Sequence, residues 1–447
     1  MEVAISTGEA SGDRAGGQLA REILALRPGT RIWGVGGSGL RAAGVEVFAE
    51  STRFAAIGVS AALPMLPRML AERRRVFAEV LRRRPDVLVA IDAGAFHLGF
   101  GPWEGLCPFV RRRLPSTRIL YYYPPGSWRR TLRSTTLGSA ADCVATPFPW
   151  SETELRRLGV DARFVGHPLL DLVHPSAAPH EIASRYGVDL DHPVIGLFPG
   201  SRAQEIRTLL PVLFDAAARI HRRVPGVQFL LGLAPTVSRA TVLEERERAR
   251  WRWRRERERS AGATAARRGP DARAVPVPVA GPPDATTRRQ KAWIERAGGA
   301  PGDGDFPLAI VEGATYDVMS VSDILLCTSG TATLEAAILA KPMVIVYKLG
   351  RGHEIEYRLI RKRLPAHVGM PNLLADRRIC PELLQDDANP DSIASEAIAL
   401  LLEPERLIRM REDLRNAVAC LGEPGGAART ARIAIELVEG ATPRAEA

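Results

Sequence analysis

Pro85-Asp86-Val87-Leu88-Val89-Ala90-Ile91-Asp92 decides the fold. Five consecutive apolar residues, set between a Pro-Asp break and an acid, suit a strand buried on both faces. Strands of that kind belong to parallel sheets covered by helices on either side. Working outward, the same unit recurs. Towards the N-terminus, Val3–Ser6 is a short apolar strand, Gln18–Leu26 a helix-like stretch and Arg31–Val35 a second strand. Towards the C-terminus come Ile119–Tyr123, Cys143–Ala145 and Phe164–Val165. This alternation predicts an α/β unit with a parallel sheet.

The rhythm restarts beyond the polar stretch Asp171–His180. Val194–Phe198 is a strand, Ala203–Arg222 a helix and Gln228–Leu233 a strand; Leu308–Val311, Ile324–Cys327 and Met343–Tyr347 follow. Two such units in one chain predict a cleft between them. Ligands of these sheets sit at the carboxyl ends of the strands, so the loops there are where chemistry is expected.

Length and composition agree. The 447 residues exceed one small core, and 46% apolar with 25% charged residues excludes disorder for the chain as a whole. No run of about 18 apolar residues suggests a membrane span. The start, Met1-Glu2-Val3-Ala4-Ile5-Ser6, reads as a strand and not a signal peptide, which predicts a cytoplasmic protein. Five scattered cysteines without a CxxC suit reduced thiols and argue against a zinc site.

The net charge of +10 is local. Residues 241–300 hold 15 basic and 8 acidic side chains, most of the excess. Residues 244–259 are nearly all Glu and Arg and suit a solvated helix with i,i+4 pairs. Residues 260–304 are rich in Ala, Gly, Pro and Arg and lack an apolar face. The stretch 234–305 therefore reads as an insertion in a surface connection. An acidic partner such as anionic lipid is an alternative use for it, and nucleic acid is not expected.

Several loops could carry chemistry. Gly8-Glu9-Ala10-Ser11-Gly12-Asp13 lies between the first strand and a helix, where glycines admit a ligand and helix N–H groups meet an anion or sugar oxygen; a capped tight turn is the alternative. Gly34-Val35-Gly36-Gly37-Ser38-Gly39 fits GxGxxG. It follows the second strand and lacks the strand-end acid of a dinucleotide site, so a structural turn is expected. Asp92 ends the central strand, where burial would raise its pKa and suit it to general-base work; an N-cap or a salt-bridged Asp is the alternative. His97 is a second candidate base, although a lone histidine is more often structural. Pro199-Gly200-Ser201-Arg202, with Glu205 one turn in, offers a freed backbone, a cap and a guanidinium for phosphate. Ser329-Gly330-Thr331-Ala332-Thr333-Leu334-Glu335 gives a second small-residue helix start, with Glu335 able to accept from ribose hydroxyls. Two such loops at strand ends of one domain point to a nucleotide diphosphate.

With these residues in view, the chain resembles the lipid-A-disaccharide synthase family. The resemblance runs through Gly8–Asp13, Gly34–Gly44, Ile91-Asp92-Ala93, Phe164–Pro168, Pro199–Arg202, Ser329–Glu335 and Met370–Leu374, in order, and leaves 234–305 outside it. It implies a GT-B fold, two Rossmann-like domains facing a central cleft, followed by C-terminal helices. The implied boundaries are 1–170 for the acceptor-side domain, 171–380 for the UDP-sugar-binding domain and 381–447 for the C-terminal helices. The implied reaction is inverting transfer of diacylglucosamine from UDP to the 6-hydroxyl of diacylglucosamine 1-phosphate. Asp92 corresponds to the proposed base. Gly8, Glu9, Ser11, Gly12, Asp13, Gly200, Ser201, Arg202, Glu205, Ser329, Gly330, Thr331, Thr333, Glu335 and Asn372 are the expected substrate-binding residues. The resemblance implies no metal and no cofactor. It implies acylated-sugar partners and peripheral contact with the cytoplasmic surface of the inner membrane, and it admits a homodimer.

The N-terminal half departs from the family pattern. Ile91-Asp92-Ala93-Gly94-Ala95-Phe96-His97 stands where IDAPDFN is usual, and Ala61 stands where the family has Glu. The donor half keeps its motifs, so a diverged GT-B UDP-sugar transferase with another acceptor, or a UDP-sugar 2-epimerase, stands as the alternative function. Membrane contact is expected from Ile57–Leu70, an apolar stretch broken by Pro64 and Pro67 and accompanied by Arg68 and Arg73–Arg75; a core helix of the N-terminal domain is the alternative.

Overall fold

The computed structural model describes residues 1–50, 66–132, 135–264, 306–349 and 366–440. The chain divides into two compact units, Met1–Leu172 with Ala419–Ala447, and Val173–Val418.

In the first unit seven parallel strands form one sheet. They are β1 (Glu2–Thr7), β2 (Arg31–Gly36), β3 (Glu46–Glu50), β4 (Val87–Ile91), β7 (Arg118–Tyr122), β8 (Cys143–Thr146) and β9 (Ala162–Phe164), in the order β3-β2-β1-β4-β7-β8-β9. A separate antiparallel hairpin joins β5 (Gly99–Phe100) to β6 (Trp103–Glu104). β4 meets the expectation for its sequence. Val87, Val89 and Ile91 enter one apolar cluster with Ile5, Leu19 and Ile23. Leu88 and Ala90 enter another with Trp33, Phe77 and Tyr121 on the opposite face. The period-two alternation of a strand fills two cores at once.

Helix α1 (Ala10–Leu26) begins eight residues earlier than the sequence suggests. Glycine disfavours helix interiors, yet Gly12, Gly16 and Gly17 lie within it. Packing overrides propensity here: a Cβ on Gly17 would sit 2.4 Å from the Gly39 carbonyl oxygen. The final helix, Gly426–Glu439, returns to this unit and lies along α1, with Asp171 accepting from the Gly425 amide at 2.5 Å.

The second unit holds β10 (Val194–Phe198), β11 (Gln228–Leu233), β12 (Leu308–Glu312), β13 (Ile324–Thr328), β14 (Met343–Tyr347) and β15 (Glu382–Leu384), all parallel, in the order β12-β11-β10-β13-β14-β15. Counted along each sheet, the strands run 3-2-1-4-5-6, with a seventh added at the end of the first sheet, so both sheets reverse direction of growth beside their first strand. That reversal is the switch point at which doubly wound sheets bind ligands.

Helix α2 (Arg239–Thr264) corrects the expectation of a merely solvated helix. Val242, Ala249 and Trp253 are buried on one stripe, and the Trp253 indole N–H donates to Asp215 at 2.8 Å. Its outer side carries Arg–Glu pairs such as Arg250–Glu247 at 2.6 Å. The rest of the expected insertion, 265–305, lies outside the described residues, as does 51–65 with most of the expected membrane stretch. Met69 and Leu70, within helix α3 (Leu66–Arg83), are half-buried. No described helix is long and apolar enough to cross a membrane.

Candidate active site

In the first unit β1 and β4 pair in register, Thr7 opposite Ile91, so the loops after them leave the sheet side by side. Gly8 makes that approach possible: a Cβ there would lie 2.2 Å from the Cβ of Ala93. Asp92 and Ala93 both adopt the left-handed conformation, with φ of 52° and 45°. Each such non-glycine residue costs about 1–2 kcal/mol. The Asp92 carbonyl accepts from the Tyr121 hydroxyl at 2.5 Å and from His97 Nδ1 at 2.8 Å, which holds the turned backbone.

His97 is fully buried, and its Nε2 lies 2.8 Å from the Ser6 hydroxyl. A carbonyl can only accept, so Nδ1 carries the proton and Nε2 accepts from Ser6. Burial lowers the His97 pKa to about 4. His97 is therefore a neutral strut and not the second base that the sequence offered. Burial, with a smaller contribution from the negative charge of Glu9, raises Asp92 to about 6. That value suits a group that must accept a proton near neutrality.

The Gly8–Asp13 residues separate into two kinds. Glu9 sits at the N-cap of α1, with Ser11 half-buried in its first turn and Gly12 packed 3.5 Å, as a would-be Cβ, from Ile91. Asp13 faces the other way. Its carboxylate accepts from the amides of Gly37 and Gly39 at 2.6 Å and Leu40 at 3.2 Å. It thus pins the Gly34–Gly39 loop as a structural turn, with both carboxylate oxygens engaged there.

In the second unit β10 and β13 end together, Phe198 opposite Cys327. After β10, Gly200 has a φ of +112°, and a Cβ on it would meet Glu205 Oε2 at 2.3 Å. Glu205 folds back to accept from the Ser201 amide at 3.1 Å and the Arg202 amide at 3.3 Å, and it pairs with the Arg202 guanidinium at 2.9 Å. This is the carboxylate half of a capping box. It shapes the loop and leaves Ser201 and Arg202 exposed. After β13, Gly330 caps the helix Thr331–Ile338, with Gly330 exposed and Thr331 half-buried.

The deeper expected ligands serve the scaffold. The Ser329 hydroxyl donates to the Val368 carbonyl at 2.7 Å, and buried Thr333 accepts from the Met370 amide at 3.2 Å. Glu335 is buried and accepts from the Tyr316 hydroxyl at 3.0 Å. Asn372 is fully buried and saturated: Oδ1 accepts from Ile379 and Cys380, while Nδ2 donates to the Cys380 carbonyl and to Glu382. Its amide has no capacity left for a nucleotide. Glu382, not among the expected site residues although it lies in the family-like run Pro381–Gln385, also accepts from the Gly369 amide at 2.9 Å. Its partners are 10–14 residues away, so the sequence did not show this role.

The model of the lipid-A-disaccharide synthetase family matches residues 3–254 and 302–435. The stretch the family model leaves unmatched is thus 255–301, narrower than the 234–305 read from sequence; residues 239–254 of docked α2 fall within the match. The lipid-A-disaccharide synthase of Geobacter sulfurreducens is 33% identical, covering 98% of this chain and 97% of its own; that of Syntrophus aciditrophicus is 30% identical, covering 98% of each. Among solved structures, the Staphylococcus aureus MnaA–UDP complex has a TM-score of 0.56 at 10% identity, covering 98% of this chain and 97% of its own. The Neisseria meningitidis UDP-GlcNAc 2-epimerase bound to UDP-GlcNAc has 0.53 at 10%, covering 99% and 100%. These two share the fold.

Proposed function

The chain belongs to the lipid-A-disaccharide synthetase family, and from that premise we propose how it works as a glycosyltransferase. It joins UDP-2,3-diacylglucosamine to 2,3-diacylglucosamine 1-phosphate, forming the β-1′,6 disaccharide and releasing UDP. The first unit supplies the base and binds the acceptor; the second binds the UDP-sugar, the nucleotide present in both structural neighbours named above.

Asp92 removes the proton of the acceptor 6-hydroxyl. The oxygen attacks the anomeric carbon, the bond from that carbon to the UDP oxygen breaks, and the configuration inverts in one displacement. Exposed Arg202 and the helix start at Thr331 stabilise the charge gathering on the diphosphate. Arg202 exchanges its contact with Glu205 for the phosphate. Gly8, Glu9, Ser11 and Gly12 border the acceptor side, and Gly200, Ser201, Ser329 and Gly330 border the donor side. The observation that carries the catalytic role is the raised pKa of Asp92 on a turn fixed by His97 and Tyr121.

Both substrates carry acyl chains, so the enzyme works at a lipid surface. A UDP-linked donor argues for the cytoplasmic face of the inner membrane. Mass spectrometry of products from the two lipid substrates tests the reaction. A disaccharide phosphate with release of UDP is expected. Release of UDP without disaccharide, or epimerised donor alone, would overturn it.

A further inference from the structure

Phe100 and Trp103 are exposed to 76% and 40%, and Gly101-Pro102 between them is exposed as well. Gly101 has a φ of +58° and proline follows it, which suits a tight two-residue hairpin turn. A two-residue ladder is unstable by itself in water. Here it is clamped from both sides: Arg112 binds the Glu104 carboxylate and Arg73 binds the Glu104 carbonyl. The result is an aromatic and proline tip held out in solvent on a fixed base.

The surroundings of that base are basic. Residues 66–75 and 99–113, which include the N-terminal half of α3 and the helix Leu106–Arg113 packed against α3, contain seven arginines and two glutamates. Arg68, Arg74, Arg75, Arg112 and Arg113 are exposed. An open groove of about 410 Å³ beside the hairpin is lined by Leu98, Pro108 and Arg112 among others, room for a polar headgroup next to a guanidinium. Two rings and a proline are too narrow for a protein interface. They match the boundary of a bilayer, where aromatic rings enter the acyl region and arginines meet lipid phosphates.

We propose that the Phe100–Trp103 hairpin, with the arginines around its base, docks this chain onto an anionic lipid surface. The inference deepens the function proposed above, because acylated substrates call for such contact. Phe100 lies eight residues after Asp92, so docking brings the loop that carries the base to the lipid.

Sedimentation of the full chain with phosphatidylcholine vesicles, with and without phosphatidylglycerol, tests it. Binding should require phosphatidylglycerol and fall with salt. Phe100→Ser with Trp103→Ser should lower the partition coefficient at least about tenfold at an unchanged melting temperature. Arg74→Glu with Arg75→Glu should abolish the dependence on phosphatidylglycerol. Unaltered binding of both double variants would overturn the proposal. So would a self-association that the aromatic variant alone disrupts, since the tip would then meet a second copy. Disaccharide formation in detergent reads the reaction separately. Product without vesicle binding sinks the docking and keeps the synthase; vesicle binding without product does the reverse.

Discussion

Asp92 combines two costs that a structural residue would shed: a left-handed backbone and a carboxylate held to a pKa of about 6. Asp92→Asn should lower turnover roughly 10²-fold or more with UDP affinity retained, by steady-state kinetics and calorimetry. The same variant should gain stability. A pKa raised in the folded state costs stability as pH rises from the unfolded value near 4 to about 6, and the cost persists above that. Removing the charge should therefore return about 2–3 kcal/mol at pH 8 and little near pH 4, read as the difference in melting temperature. On the proposed mechanism His97 acts through Asp92 as a positioning residue. His97→Ala should lower kcat about tenfold with KM little changed, whereas His97→Asn, which can keep a donor towards the Asp92 carbonyl, should recover part of it. An equal loss in both variants would mean that His97 only fills space. The candidate base was legible in the sequence because it ends a wholly apolar strand. A structural role for His97 was legible as the usual one for a lone histidine, but its partner Ser6, 91 residues away, was not.

Elements decide how the proposed donor loops are presented. The loop after β10 is built by Gly200 and Glu205 and offers Arg202, so Arg202→Ala should weaken UDP binding by about 2–3 kcal/mol in calorimetry. Loss of fold is not expected from an exposed side chain. The docking of α2 bears on the extra segment of this chain. Trp253 and Phe306 face each other with ring centroids 5.8 Å apart, so the chain returns to where it left. Replacing residues 257–303 by a short Gly-Ser linker should leave turnover and melting temperature nearly unchanged. Trp253→Ala, by contrast, should cost about 3–5 kcal/mol in denaturant unfolding. The sequence showed the charge of this helix but hid its buried stripe, because Val242, Ala249 and Trp253 are single apolar residues among Glu and Arg, too sparse to make a period.

At the scale of the whole molecule, acid should act on the first unit. His97 and His167 are both buried there, and burial lowers their pKa values to about 4 and about 3. Stability from a histidine kept neutral is complete above about 6.5 and is lost as pH falls towards the folded value. Asp92 changes in the opposite direction but by less than the two histidines together. Melting temperature should therefore fall between pH 7 and pH 5, and His97→Asn should flatten that slope in a calorimetric series; an unchanged slope would refute it. The sequence alone determined the two parallel-sheet units, the switch-point loops and the family, because strand burial and helix starts are written in local runs of residue types. Only the tertiary structure decided that Asp13 and Asn372 are consumed by backbone amides, that glycines belong inside α1, that the last helix rejoins the first unit, and that Phe100 and Trp103 face water. The reason is physical: hydrogen-bond capacity and exposure are settled by what lies across space, and those partners stand tens or hundreds of residues away in the chain.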